Sequence, residues 1–209
     1  MKRIAAFLVL VILFPSCVTA QEAMNRDKID LIVEAAYALN GKSEVVVGGQ
    51  KFNSDCSGLI YGLYSAAGID LQSAVARYKG DGVKRIYQLM DENGLLYYAW
   101  VPVPGDLIFW DNTYDKNGDG RENDYLTHIG VVVSVEDDGQ ISYIHYHTGR
   151  GIMIEQMNMF QPHVYADVVD GKTVVRNSYM RASDAPDSRF QLAGELCRNF
   201  AMGYALPLR

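Results

Sequence analysis

The sequence has few cysteines and histidines and no excess of positive charge. Its 209 residues include three cysteines and four histidines, and the formal net charge is −6. A negatively charged chain without a basic block interleaved with aromatic residues is poorly suited to nucleic acid or to anionic lipid. Three cysteines are also too few for a disulfide framework. We therefore expect no nucleic-acid partner and no disulfide-rich scaffold.

Long apolar runs are missing from the chain beyond its N-terminus. Two basic residues at 2–3 precede an apolar run at 4–14, and small residues that resemble a cleavage site end at Ala20. This pattern is typical of a secretory signal at 1–20, and the run is too short to span a bilayer. We predict a secreted or periplasmic protein. The alternative is a lipoprotein signal with a lipid anchor on Cys17, in which Phe14 stands where leucine is usual.

Cleavage after Ala20 leaves a chain that fits one domain. Hydrophobic residues make up 49% and charged residues 21% of the sequence, an ordinary balance for a globular protein. Residues 21–209 contain no internal repeat, low-complexity tract or linker. They are predicted to form a single domain with a C-terminal extension from about 157. Cys197 is expected to pack on the buried face of a helix at 189–204.

The order of periodic patterns predicts the fold class. Helical spacing of apolar residues dominates the first part of the mature chain, and runs rich in β-branched and aromatic residues follow. An α+β fold, with N-terminal helices packed on a mostly antiparallel sheet, is the expected result. Helices are predicted at 25–40, within 53–71 and within 72–96. Strands are predicted at 97–103, 106–110, 128–135, 140–147, 153–156 and 174–181.

Cys56 is predicted to lie within or just before the first turn of one of these short helices. Ser54 or Asp55 can accept the unpaired N–H groups of the first turn, and Gly68 stands where a helix often ends. The helix dipole favours negative charge at this end, so we expect a thiol that ionises easily. Such a cysteine is either a nucleophile or a small buried apolar residue.

Histidines supply the candidate base. An antiparallel hairpin around 137–139 brings His128 close to His145 or His147 on one face, with Gly130 leaving room beside them. We expect the pair to lie on the face where the Cys56 helix packs. His163 lies outside the hairpin and is interpreted as a surface residue.

Several motifs in order resemble the NlpC/P60 family of cysteine peptidases. They are DCSGL at 55–59, PGDLIFW at 104–110 and HIGV at 128–131, with Gly-Gly at 48–49, GIDL at 68–71 and YIH at 143–145. The ordered set is more specific than any one motif. The resemblance covers roughly residues 25–150.

The resemblance implies a papain-like fold and a secreted thiol peptidase that hydrolyses amide bonds of peptidoglycan stem peptides or muropeptide fragments. The implied bond joins γ-D-glutamate to a diamino acid. Cys56 is the implied nucleophile, His128 the base and His145 the third residue that orients it. Asp55 and Ser57 are implied to bind a free peptide amine. Thiol chemistry needs no metal or cofactor, so none is expected.

The sequence departs from the family pattern near the cleft and in the hairpin. Val45 stands where family members often have a tyrosine, and Tyr37 or Tyr61 are candidates to replace it. A two-residue loop at 137–138 would pair His128 with His147, although the motif favours His145.

The third departure is a polar insertion at 111–124. Asp115, Asn117, Asp119 and Gly120 match the start of an EF-hand-like calcium loop, but Leu126 replaces the closing acidic residue. A solvated polar loop is the favoured interpretation, and any calcium would be structural.

Two further functions stay open at this point. One is a binding protein of the same fold that has lost activity, and the other is an amidase or acyltransferase that uses the same thiol. The sequence does not determine the role of 157–209, the oligomeric state or the length of the stem peptide.

Overall fold

A computed structural model describes residues 20–181 and 190–207 of the chain. The predicted signal sequence, including Cys17, lies outside the described residues except for Ala20. Within the described ranges, no helix combines the length and apolar character needed to span a membrane.

Helices dominate the first half of the described chain, as predicted. Helix α1 (Ala20–Leu39) begins earlier than expected and is followed by a small hairpin of β1 (Val46–Val47) and β2 (Gln50–Lys51). Helices α2 (Cys56–Ala66), α3 (Leu71–Ala74) and α4 (Gly82–Glu92) come next.

Strands dominate the second half and form one six-stranded sheet. In chain order its members are β3 (Leu96–Tyr97), β4 (Leu107–Trp110), β5 (His128–Val135), β6 (Gln140–His147), β7 (Gly151–Asn158) and a C-terminal strand at Cys197–Ala201. All pairings in this sheet are antiparallel. The predicted α+β class and antiparallel sheet are confirmed. The predicted strand at 97–103 is wrong for most of its length, because only Tyr97 belongs to β3.

The C-terminal segment corrects another prediction. A separate hairpin of β8 (Ala166–Val169) and β9 (Lys172–Val175) replaces the strand predicted at 174–181. The helix predicted at 189–204 is wrong: a short α5 (Ala193–Leu196) leads into β10 (Cys197–Ala201). Strand β10 lies between β3 and β4, where it pairs backbone groups that would otherwise form an open edge.

Two apolar clusters cover the two faces of the sheet. The first joins the helices to one face, with Leu59 and Leu63 of α2 packed in the same cluster as Ile129 and Val131 of β5. The second lies on the other face and includes Trp110, Val132, Tyr143, Ala193 and Phe200. Since α2 contacts both β5 and β6, its position is fixed relative to the strands that carry the histidines.

Candidate active site

Cys56 is held at the first residue of α2. Asp55 is the N-cap of this helix, and its Oδ1 accepts the N–H of Gly58 at 2.7 Å. A side chain at Gly58 would place its Cβ only 2.0 Å from the carbonyl oxygen of Asn53. Only glycine allows this close approach, which holds the preceding loop against the helix. Asp55 thus fulfils the capping prediction, and Cys56 takes the predicted position.

Burial decides the charge of the Cys56 thiol. It raises the pKa of Cys56 to about 11, and the negative charge of Asp55 adds to this. Hydrogen bonds from the backbone N–H groups of Ser57 and of Cys56 itself lower it, but by less. The expectation of an easily ionised thiol is therefore wrong, because desolvation outweighs the helix terminus. A nucleophilic role requires a base.

His128 and His145 contact each other through their rings. His128 Nε2 lies 2.9 Å from His145 Nδ1, a hydrogen bond between β5 and β6. Gly130 lies opposite His145 in the strand register. The room expected beside Gly130 is filled by Trp110, whose ring would be 3.0 Å from an added Cβ. Burial lowers the pKa of His128 well below its usual range, and the neighbouring imidazoles of His145 and His147 lower it further.

The side-chain contact joins His128 to His145, not to His147. Continuing the register beyond the Gly130–His145 pair would place His147 opposite His128, yet the hydrogen bond is diagonal. The ring of His147 lies 6.1 Å from that of His145, and its buried Nδ1 has no hydrogen-bond partner among the described residues.

The sheet face of the histidine pair differs from the prediction. His128 and His145 lie beside Trp110 and Tyr143 of the second cluster, whereas α2 packs on the first face. His128 is the first residue of β5, so its ring lies at an end of the sheet. Among the described residues, no hydrogen bond joins Cys56 to either histidine.

Glu155 of β7 extends the histidine pair and was missed by sequence reasoning. Its Oε2 lies 3.1 Å from His145 Nε2, and its Oε1 accepts a hydrogen bond of 2.9 Å from Arg150. Burial raises the pKa of Glu155, but the hydrogen bond with His145 and then the Arg150 guanidinium outweigh it and hold the pKa below its usual range. The only signal in the sequence was an acidic residue within the apolar strand 151–158.

At the start of α2, Asp55 is exposed and Ser57 is partly buried. Ser57 donates a hydrogen bond of 2.8 Å to Asp55 Oδ1, the same oxygen that caps the helix. Ser57 also packs against Gly82, whose added Cβ would lie 2.3 Å from the serine Oγ. In the described chain Asp55 Oδ2 has no hydrogen-bond donor, so it is available to a cation.

Of the tyrosines considered near the cleft, only Tyr61 is buried beside Cys56. Val45 is fully buried in the first cluster, and Tyr37 is exposed on α1. The hydroxyl of Tyr61 is buried and lacks a hydrogen-bond partner within the described ranges. Burial raises its pKa, the positive charge of Arg85 opposes this increase, and the negative charge of Asp55 adds to it.

The insertion at 111–124 borders the same region. Lys116 forms an ion pair with Asp81, the residue directly before Gly82 and the N-cap of α4. Within the loop, the carboxylate of Asp115 accepts N–H groups of Gly118 and Gly120 at 2.7 and 2.8 Å. These contacts are typical of a polar loop that hydrogen-bonds its own turns. No group of three or more histidine, cysteine or acidic residues suited to a metal occurs in the described ranges.

Comparison with known proteins identifies the family. The NlpC/P60 family model matches residues 35–169, more than half of the chain and the part that carries Cys56, His128, His145 and Glu155. The chain therefore belongs to the NlpC/P60 family, and its helices and antiparallel sheet are consistent with a papain-like fold. No curated protein and no solved structure matches.

Membership sets the general class of activity. The family consists typically of cysteine peptidases that act on peptidoglycan, and its members are often secreted or associated with the cell wall. Family membership thus supports a cell-wall peptidase type of function.

Proposed function

We propose that this protein is a secreted cysteine peptidase that hydrolyses amide bonds of peptidoglycan stem peptides, at the bond between γ-D-glutamate and the diamino acid. The observation that carries the proposal is the His128–His145 hydrogen bond, in the same family-matched segment as Cys56 at the start of α2. A thiol beside a helix N-terminus and an oriented imidazole are the parts that acyl transfer requires.

In the proposed reaction, Cys56 Sγ attacks the carbonyl carbon while its proton passes to His128. The C–N bond of the resulting tetrahedral species breaks, and His128 gives the proton to the leaving amine. Water then attacks the thioester and gives a proton to His128. The S–C bond breaks, and the thiolate recovers that proton, so one water is consumed for each amide hydrolysed. An N–H group at the start of α2 stabilises the oxyanion.

The raised pKa of Cys56, about 11, makes proton transfer part of the attack. A thiol that is neutral at pH 7 must lose its proton as the S–C bond forms, so His128 acts as a general base. This requires Sγ and the imidazole to come into contact with substrate bound, since no hydrogen bond joins them among the described residues.

We assign Asp55 and Ser57 to the amine of the substrate. Asp55 and Ser57 flank the nucleophile in the chain, and their side chains are hydrogen-bonded to each other. Asp55 is exposed and Ser57 is partly buried. The N-terminal ammonium group of a peptide would donate a hydrogen bond to Asp55 Oδ2, the carboxylate oxygen that has no donor in the described chain.

The test is mass spectrometry of purified muropeptides after incubation with the mature protein. Cys56→Ala is the inactive variant, and Cys197→Ala is the matched control because Cys197 is the other free cysteine of the described chain. A new pair of fragments split at the γ-D-glutamyl bond, produced by the wild type and by Cys197→Ala but not by Cys56→Ala, is the expected result. Cleavage that survives Cys56→Ala contradicts the proposal.

A peptide-binding protein without activity is the second candidate. It is favoured by the neutral, buried thiol and by the lack of a hydrogen bond between Cys56 and a histidine. Binding of tri- or tetrapeptide stems without any fragment would support it. Turnover of a non-peptide ester or amide, with none of wall peptides, would instead favour an amidase or acyltransferase.

A further inference from the structure

A continuous chain of polar contacts leads from the histidine pair to the far strand of the sheet. It runs from His128 to His145 at 2.9 Å, from His145 to Glu155 at 3.1 Å and from Glu155 to Arg150 at 2.9 Å. The first three residues lie on the neighbouring strands β5, β6 and β7. The first two contacts therefore each cross from one strand to the next, and the third joins Glu155 to the turn that precedes β7.

The middle of this chain is shielded from water. The side chain of His145 is 2% exposed and that of Glu155 is 10% exposed, whereas Arg150 is 48% exposed. The hydroxyl of Tyr143 also approaches Glu155, at 3.5 Å. A charged hydrogen bond in such surroundings is stronger and better defined in direction than one at the surface.

We propose that Glu155 is a positioning residue that fixes which nitrogen carries the proton in both histidines. The proposal rests on the proposed function only in taking His128 as the base. Glu155 does not touch the substrate and acts through His145.

The assignment of protons follows from donor and acceptor roles. An ionised carboxylate only accepts hydrogen bonds, so His145 Nε2 carries the proton in its contact with Glu155. Neutral His145 then has an unprotonated Nδ1, which must accept from His128. His128 Nε2 is therefore the donor, and its Nδ1 keeps the lone pair that can take a proton from Cys56.

Without Glu155 this order is lost. The proton of His145 could then lie on Nδ1, and this N–H would donate to His128 Nε2. Because Nε2 of neutral His128 would now be the acceptor, the proton of His128 would lie on its Nδ1. That tautomer cannot accept a proton from a thiol. Within the described ranges, the other charged and titratable groups that face this pair are Arg150, Tyr143 and His147, so no second carboxylate is available there.

The experiment compares Glu155→Gln with Glu155→Met in the mature protein. Histidine ring 15N–1H spectra report the tautomers, and muropeptide kinetics report kcat and KM. Glu195→Gln is the matched control, because Glu195 forms a carboxylate–imidazole pair with exposed His163 at 2.8 Å. The wild type is expected to show the Nε2–H tautomer at both His128 and His145.

Glu155→Met is expected to mix the tautomers of both histidines and to lower kcat about 100-fold with little change in KM. The amide oxygen of Glu155→Gln can still accept from Nε2–H, so it should keep the tautomers and lose less activity, about tenfold. The control Glu195→Gln should change neither the tautomers of His128 and His145 nor kcat.

The outcomes separate this inference from the proposed function. A wild-type His128 with its proton on Nδ1, or unchanged tautomers and kcat in folded Glu155→Met, would overturn the positioning role. If Glu155→Met fails to fold, the tautomers of the wild type and the kinetics of Glu155→Gln still test the positioning role. If the protein shows the expected tautomers but cleaves no muropeptide, the proposed function is contradicted and the positioning role of Glu155 is not.

Discussion

At Cys56, two opposing effects act on a single thiol. The N–H groups at the start of α2 favour the thiolate, while burial and the Asp55 carboxylate favour the neutral thiol. Desolvation prevails, since a thiolate at this partly buried position loses much of its hydration while a helix end supplies only partial charges.

Asp55→Asn tests this balance. Asparagine caps a helix as well as aspartate does, so α2 should keep its start while the negative charge beside Cys56 is lost. Because that charge raises the pKa of Cys56, its removal lowers the pKa and increases the thiolate fraction at a given pH. The rate of alkylation by iodoacetamide at pH 8 should rise about threefold to tenfold.

The measurement is made in a Cys197→Ala background, so that only one described thiol reacts. In the reference protein, the alkylation rate should keep rising with pH beyond pH 9. A rate that levels off near pH 7 would show that the thiol already ionises there, which contradicts the burial argument.

Tyr61 offers a second test at the residue scale. Its buried hydroxyl has no partner in the described chain, so Tyr61→Phe should leave the free energy of unfolding unchanged or slightly higher. If the hydroxyl is kept for the substrate, kcat/KM for muropeptides should fall about threefold to tenfold. Urea denaturation and steady-state kinetics give the two values. Equal kcat/KM of the wild type and Tyr61→Phe would show that the Tyr61 hydroxyl does not contact the substrate.

At the scale of elements, β10 shows why local periodicity wrongly predicted a helix at 189–204. Leu192, Leu196 and Phe200 recur every fourth residue, which predicts a helix. All three are buried, and Leu196 and Phe200 belong to the second cluster. They are not on one helix, however, since Leu196 ends a short helix and Phe200 lies on a strand. Pairing of β10 with β3 and β4 outweighed the local pattern, as tertiary contacts often do.

Phe200→Ala measures what β10 contributes. Phe200 is fully buried, whereas Phe160 is 56% exposed and provides the same substitution at the surface. Phe200→Ala should lower the free energy of unfolding by about 3–5 kcal/mol through lost burial and a residual cavity. Phe160→Ala should lower it by less than about 1 kcal/mol. Urea denaturation of both variants is the check, and similar losses would place Phe200 outside the core.

At the scale of the whole molecule, the sheet includes a strand that lies beyond the end of the family match. The match ends at residue 169, but β10 lies inside the sheet between β3 and β4. The segment after 157 thus supplies a central strand as well as the β8–β9 hairpin. That residues 21–209 form a single domain stays a prediction, and the position of β10 supports it.

Processing of the N-terminus is a further prediction for the whole chain. A secretory signal cleaved after Ala20 gives a mature protein that begins at Gln21. The intact mass of the protein isolated from its native host should match residues 21–209. A mass that includes residues 17–20 and a lipid would establish the alternative anchor on Cys17.

Much of the site could be predicted because its signals are local. The N-cap, the helix that starts at Cys56 and the hairpin of β5 and β6 each depend on a few neighbouring residues. Glu155 could not be predicted in this way, because its partner His145 is on another strand and strand pairing is set by register across the sheet.

The sequence by itself determined the family, the α+β class, the start of α2 and the two histidine strands, since residue type and spacing encode these features directly. Only the tertiary structure decided which histidine His128 contacts, which face of the sheet the pair occupies, the raised pKa of Cys56 and the place of β10. These depend on distances and burial between segments far apart in the chain. Desolvation and strand pairing arise only when those segments meet.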